Sequence, residues 1–98
     1  MNALSTITQK VAPMVRITLN DTAPGTITMA IEGRIVSEWI DVVETECQAL
    51  LLTKQNVLLD FSDVNFVEGE GVRMIRRLLH KGCRVVNCPP FIYHVLFT

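Results

Sequence analysis

Few residues in this chain are of a type and spacing to do chemistry, and the densest group is Glu68-Gly69-Glu70-Gly71, followed closely by Arg73, Arg76 and Arg77. Two carboxylates interleaved with glycines, just ahead of a helical pattern, admit two readings. In the first they place permanent negative charge against the unpaired N–H groups and partial positive charge of a helix N-terminus. In the second they merely cap and polarise a helix start, with the glycines serving a tight turn. The arginines recur at spacings of three and four and so share one side of a helix. They form either a docking ridge for an acidic partner, since arginine is enriched at interface hot spots, or a solvated face whose cations suit the helix C-terminus.

Other chemistry finds little support. His80 and His94 are the only histidines, and neither has a nucleophile or carboxylate partner by sequence. Glu-Gly-Glu-Gly lacks the lysine and hydroxyl positions of a P-loop and the spacing of a dinucleotide fingerprint. Cys47, Cys83 and Cys88 make no metal-ligand pattern, and an odd count argues against a secreted disulfide framework. They read as small apolar residues in a reducing compartment. No aromatic platform is interleaved with the arginines, so stacking on nucleic acid has no visible basis. The reading is therefore of a chain without catalytic residues, cofactor or metal.

The elements that must position the corner and the ridge follow from periodicity. Val15 to Leu19 alternates apolar and polar residues, Asn20 to Gly25 supplies turn formers, and Ile27, Met29 and Ile31 alternate again. These are two strands of a hairpin, expected to have a connection longer than two residues. Gly33 is expected to end the second strand and Ser37 to cap a helix with its hydroxyl. Ile40, Val43, Cys47, Leu50 and Leu51 form that helix's apolar stripe, and Trp39 flanks it, as core packing or as an interface anchor. The apolar run Asn56 to Phe61 suits a central strand. Ser62 to Asn65 then precedes Phe66-Val67 and the corner. A second helix buries Val72, Ile75, Leu78 and Leu79 and ends at Gly82, in the place of a left-handed C-cap. Cys83 to Asn87 is a fourth strand, stopped by Pro89-Pro90, with terminal helix from Phe91 to Thr98.

At 98 residues and 49% hydrophobic the chain supports one domain, residues 1–98, with a core at about 14–96. The order implies an α/β fold with a mostly parallel four-stranded sheet. Charge is divided unevenly: residues 1–70 hold 4 basic against 10 acidic residues, and residues 71–98 hold 5 basic and none acidic. No apolar run of about 18 residues and no signal-peptide pattern occurs, so the protein is expected in the cytoplasm, without membrane insertion.

Three segments together resemble the sulphate transporter and anti-sigma factor antagonist (STAS) domains: Gly33-Arg34-Ile35, the strand Val57-Leu58-Leu59-Asp60-Phe61-Ser62, and the junction Phe66-Val67-Glu68-Gly69-Glu70-Gly71-Val72-Arg73. The family's junction reads Phe-hydrophobic-Asp-Ser-Ser/Thr-Gly and leads into a helix. Gly71 matches the closing glycine and Glu68 takes the place of the aspartate. The resemblance implies a SpoIIAA-like sheet with helices mainly on one face, and a role in docking to a protein partner such as an anti-sigma factor kinase. It implies also that the family's phosphorylated serine is replaced by Gly69, and its neighbour by Glu70, so that the junction holds one charge state and binding is constitutive. Ser37, Thr53 and Ser62 offer hydroxyls, but nothing marks them as substrates. Two further roles suggested by the resemblance are a subunit of a lipid-transport ABC complex and a sensor of a nucleotide or lipid. Self-association into a homodimer is left open.

Overall fold

The computed structural model describes residues 6–11, 15–53 and 56–97. Residues 1–5 and Thr98, at the two ends of the expected domain, lie outside the described residues. The elements are β1 (Thr6–Val11), β2 (Val15–Ala23), β3 (Thr26–Ile35), α1 (Glu38–Leu51), β4 (Asn56–Val67), α2 (Gly69–His80), β5 (Arg84–Val86) and α3 (Pro90–Leu96). The strands form one sheet in the order β1-β2-β3-β4-β5. β1 with β2 and β2 with β3 are antiparallel, whereas β3 with β4 and β4 with β5 are parallel. The mixed α/β architecture is the expected one, but the sheet is not mostly parallel, because β1 adds a second antiparallel pairing.

Alternation decides which face is covered, because successive side chains of a strand point to opposite sides. Val15, Ile17 and Leu19 of β2, Ile27, Met29 and Ile31 of β3, and Val57, Leu59 and Phe61 of β4 are buried. Register aligns them in rows: Leu19 faces Met29, Met29 lies beside Leu59, and Leu59 lies beside Val85. Ile40, Val43 and Cys47 of α1 and Val72, Met74, Ile75 and Leu78 of α2 join the same cluster. Each such side chain contributes about 1.5–3 kcal/mol on burial. Thr28, Ala30, Leu58 and Asp60, at the intervening positions, remain half-exposed, so the helices cover the other face.

Several local expectations are corrected. The sheet has a fifth strand, β1, whose sequence Thr-Ile-Thr-Gln-Lys-Val carries only two apolar residues. An edge strand has one neighbour and needs less apolar surface, which is why its pattern is faint. The β2–β3 connection is short, with Ala23 already paired to Thr26 around Pro24-Gly25. Gly25 takes φ +76°, as the position after proline in a type II turn requires, and an irregularity in β2 between Asp21 and Ala23 absorbs the twist. Gly33 does not end β3. It sits at φ +105° inside the strand, beside a register shift against β4, and the strand continues to Ile35. Nor does β4 break at Ser62 to Asn65. A shift near Asp60 carries it through, with the Asp60 carboxylate accepting from the Ser62 N–H at 2.9 Å.

Candidate functional site

The parallel pairing of β3 with β4 brings the acidic corner next to the start of α1. β4 ends at Val67, and Glu68 occupies the N-cap position of α2 in extended backbone. The Glu68 N–H donates to the Ile35 carbonyl at 3.0 Å, and its carbonyl accepts from the Val72 N–H at 2.9 Å. Its side chain does not cap α2. Glu68 Oε1 instead accepts the backbone N–H of Ser37, 31 residues away, at 2.9 Å.

Ser37 accordingly does not act as expected. It precedes α1, but its hydroxyl makes no capping hydrogen bond. It lies at φ 51° and ψ −132°, a sparsely populated conformation for a residue with a Cβ, held only where surroundings over-determine it. The Glu68 carboxylate is one such restraint. A single acid thus ties the starts of both long helices together.

The two glycines of the corner serve opposite ends. A Cβ on Gly71 would stand 2.9 Å from Val67 Cγ1 and 3.2 Å from the Ile35 carbonyl oxygen, so α2 approaches the end of β3 closely only because that position has no side chain. Gly69 faces open space. It and Glu70 are exposed, whereas Gly71 is buried.

The three arginines reach three different partners. Arg73 pairs with Glu70 one turn earlier, and both side chains are largely exposed. This contact lowers the Glu70 carboxyl from its ordinary value and raises the Arg73 guanidinium. Arg76 donates through Nε to the Leu96 carbonyl at 3.1 Å and through its terminal nitrogen to that of Val95 at 3.0 Å, satisfying the last turn of α3. Arg77 forks onto Glu44 of α1 at 3.0 and 2.9 Å. That fork, more than the opposing effect of burial, holds the Glu44 carboxyl below its ordinary value. All three arginines are exposed on α2, and Arg76 and Arg77 in addition fasten α3 and α1 to it.

Next to the corner lies an apolar cleft of about 120 Å³ lined by Phe66, Val67, Val72, Phe91, Ile92 and Val95. Phe66 is 41% exposed and Phe91 56%. The Arg34 guanidinium sits 4.8 Å from the Phe66 ring centre, since the two residues are register partners across β3 and β4. α3 explains the cleft: Ile92 and Leu96 are buried, yet Phe91, Tyr93, Val95 and Phe97 are exposed. A helix apolar on every side is ordinarily covered on every side. The sequence Phe-Ile-Tyr-His-Val-Leu-Phe, expected as terminal helix, carries that apolar signal at every position but its tyrosine and histidine.

Cys47 and Cys83 are buried as expected of apolar residues, and Cys88 is half-buried. Trp39 packs, partly buried, against the core. Among the described residues no group of three or more His, Cys, Asp or Glu is placed to hold a metal ion, and no helix is long and apolar enough to cross a membrane.

No family model matches the sequence, and no curated protein matches it. Solved structures do share its fold. The anti-sigma factor antagonist SpoIIAA, in its unphosphorylated form, aligns with a TM-score of 0.60 at 15% identity, over 81% of this chain and 76% of that one. A crystal structure of Mglu aligns with a TM-score of 0.54 at 22% identity over 68% of this chain, which spans only 18% of the Mglu chain. The SpoIIAA-like α/β fold is thereby established.

Proposed function

We propose that this chain is a non-catalytic, cytoplasmic protein-binding module of the anti-sigma factor antagonist kind, which engages its partner through Gly69, Glu70 and Arg73, displayed on a frame built by Glu68 and Gly71. Arg76 and Arg77, exposed on the same helix, extend that surface while holding α3 and α1 against α2. The observation that carries the reading is the rigid, solvent-facing corner: Gly69, Glu70 and Arg73 stand exposed at the first turn of α2, above a Glu68 fixed to both helix starts. The likeness to SpoIIAA supports it at the level of the fold.

The cleft beside the corner is of a size to take side chains of a protein partner. Sites for small molecules enclose roughly 300–1,000 Å³, and about 120 Å³ accommodates a side chain or two. Aromatic residues flanking such a cleft are the type that anchors interfaces. No residue from 68 to 71 bears a hydroxyl, so binding through the corner is constitutive.

The test is affinity capture from native lysate with the wild-type chain, Glu70→Lys/Arg73→Glu and Phe66→Ala, each first shown to keep the wild-type melting temperature. Loss of a captured protein kinase or regulator with both surface variants is the expected result. Identical capture by all three chains would refute the corner as the docking site, and capture of a transporter ATPase would transfer the module to the ABC complex.

A further inference from the structure

We propose that Cys47 and Cys83 are a reversible redox pair, and that their oxidation to an intramolecular disulfide fastens α1 to the turn between α2 and β5. The two sulfurs lie 3.6 Å apart in the core, 36 residues apart in sequence. A disulfide bond is about 2.05 Å long, so closure needs the sulfurs to approach by about 1.5 Å. Cys83 lies just past the end of α2, where its N–H still donates to the Leu78 carbonyl at 3.1 Å, so the approach falls to rotation of the two cysteine side chains. Cys83 follows the exposed Lys81 and Gly82, and Gly82 takes φ +109°. Cys47 is held in the middle of α1, where it is fully buried.

The contact differentiates the two thiols. The hydrogen-bonded contact with Cys47 lowers the Cys83 thiol from its ordinary value. The same contact, and then burial, push the Cys47 thiol up. Cys83, adjoining the exposed Lys81 and Gly82, is the thiol an oxidant reaches first and so the nucleophile, and Cys47, fully buried in the middle of α1, is the resolving thiol. Burial of both restricts the oxidant to a small one that enters when the turn opens, and hydrogen peroxide is the class proposed. The Cys83 sulfur attacks peroxide and the O–O bond breaks. Cys83 becomes the sulfenic acid, and the departing hydroxide leaves as water with the Cys83 proton. The Cys47 sulfur then attacks the sulfenic sulfur. The S–O bond breaks, and hydroxide leaves as water with the Cys47 proton. Two thiols lose two electrons in all, and one peroxide becomes two waters.

The experiment treats folded wild type and Cys88→Ser with peroxide and follows intact mass and non-reducing peptide maps. The expected result is loss of two hydrogen masses without dimerisation, a peptide link between the Cys47 and Cys83 segments in both chains, and full reversal by a dithiol. In Cys47→Ser/Cys88→Ser the sulfenic acid should persist at Cys83, read as one added oxygen in the intact mass and located by peptide mapping. Two free thiols at a peroxide dose that oxidises the urea-unfolded chain would overturn the proposal. So would a link through Cys88, or a link between molecules. Because the wild-type map is read independently, misfolding of a variant does not shelter the proposal.

Discussion

The corner Glu-Gly-Glu-Gly looks like a repeat, yet its two outer residues and its two inner ones live in different surroundings. Glu68 and Gly71 face the fold: one restrains Ser37, and the other lets α2 touch the end of β3. Gly69 and Glu70 face solvent, one over open space and the other paired with an exposed arginine. Chemically identical pairs thus divide their work by direction, with scaffold at the ends and surface in the middle. A site displayed for a partner needs both: a frame that does not move and groups that stand exposed on it.

Substitutions can break this contrast. Gly71→Ala is expected to do most harm, about 1–3 kcal/mol of unfolding free energy by urea titration, because the Ile35 carbonyl cannot swing aside as a side chain does. Glu68→Ala leaves the Ser37 N–H without its acceptor and should cost about 1 kcal/mol. Glu68→Gln, which keeps an acceptor oxygen, should recover most of it.

Acid titration contrasts the two ion pairs. The Glu44 carboxyl is held below its ordinary value of 4.5, so its contribution is complete above that value and disappears as pH falls through the lower, folded one. Glu44→Gln should therefore lose less stability than wild type on acidification below about pH 5, read by melting temperature. Glu70→Gln, at an exposed pair, should follow the wild-type curve closely. Gly69→Ala should do least, staying within about 0.5 kcal/mol of wild type. A large loss there would show that the outward half of the corner is also scaffold.

Sequence periodicity sufficed for the existence of β2, β3, α1, β4 and α2, because each has a buried stripe at period two or near 3.6 and such stripes are local, though it did not suffice for the far ends of β3 and β4. Gly71, too, was identifiable as a constrained position from its place at a strand-to-helix junction. What stayed hidden was non-local. Nothing near Ser37 says that its N–H is capped by Glu68, because that contact arises only when β3 and β4 pair side by side. The Arg77–Glu44 fork and the Cys47–Cys83 contact likewise join α1 to the second half of the chain. Spacing placed three arginines on one side of a helix correctly, but not which carbonyls or carboxylates would meet them there.

The Arg76 contact has a consequence for assembly. A helix of seven residues does not persist alone in water, and α3 (Pro90–Leu96) is no longer than that. Its closing carbonyls are held by a cation from α2, and its inward residues, Ile92 and Leu96, belong to the common core. The last helix therefore forms only on a surface its predecessor has already laid down. Loosening α2 would release the far wall of the Phe66 cleft in the same cooperative event.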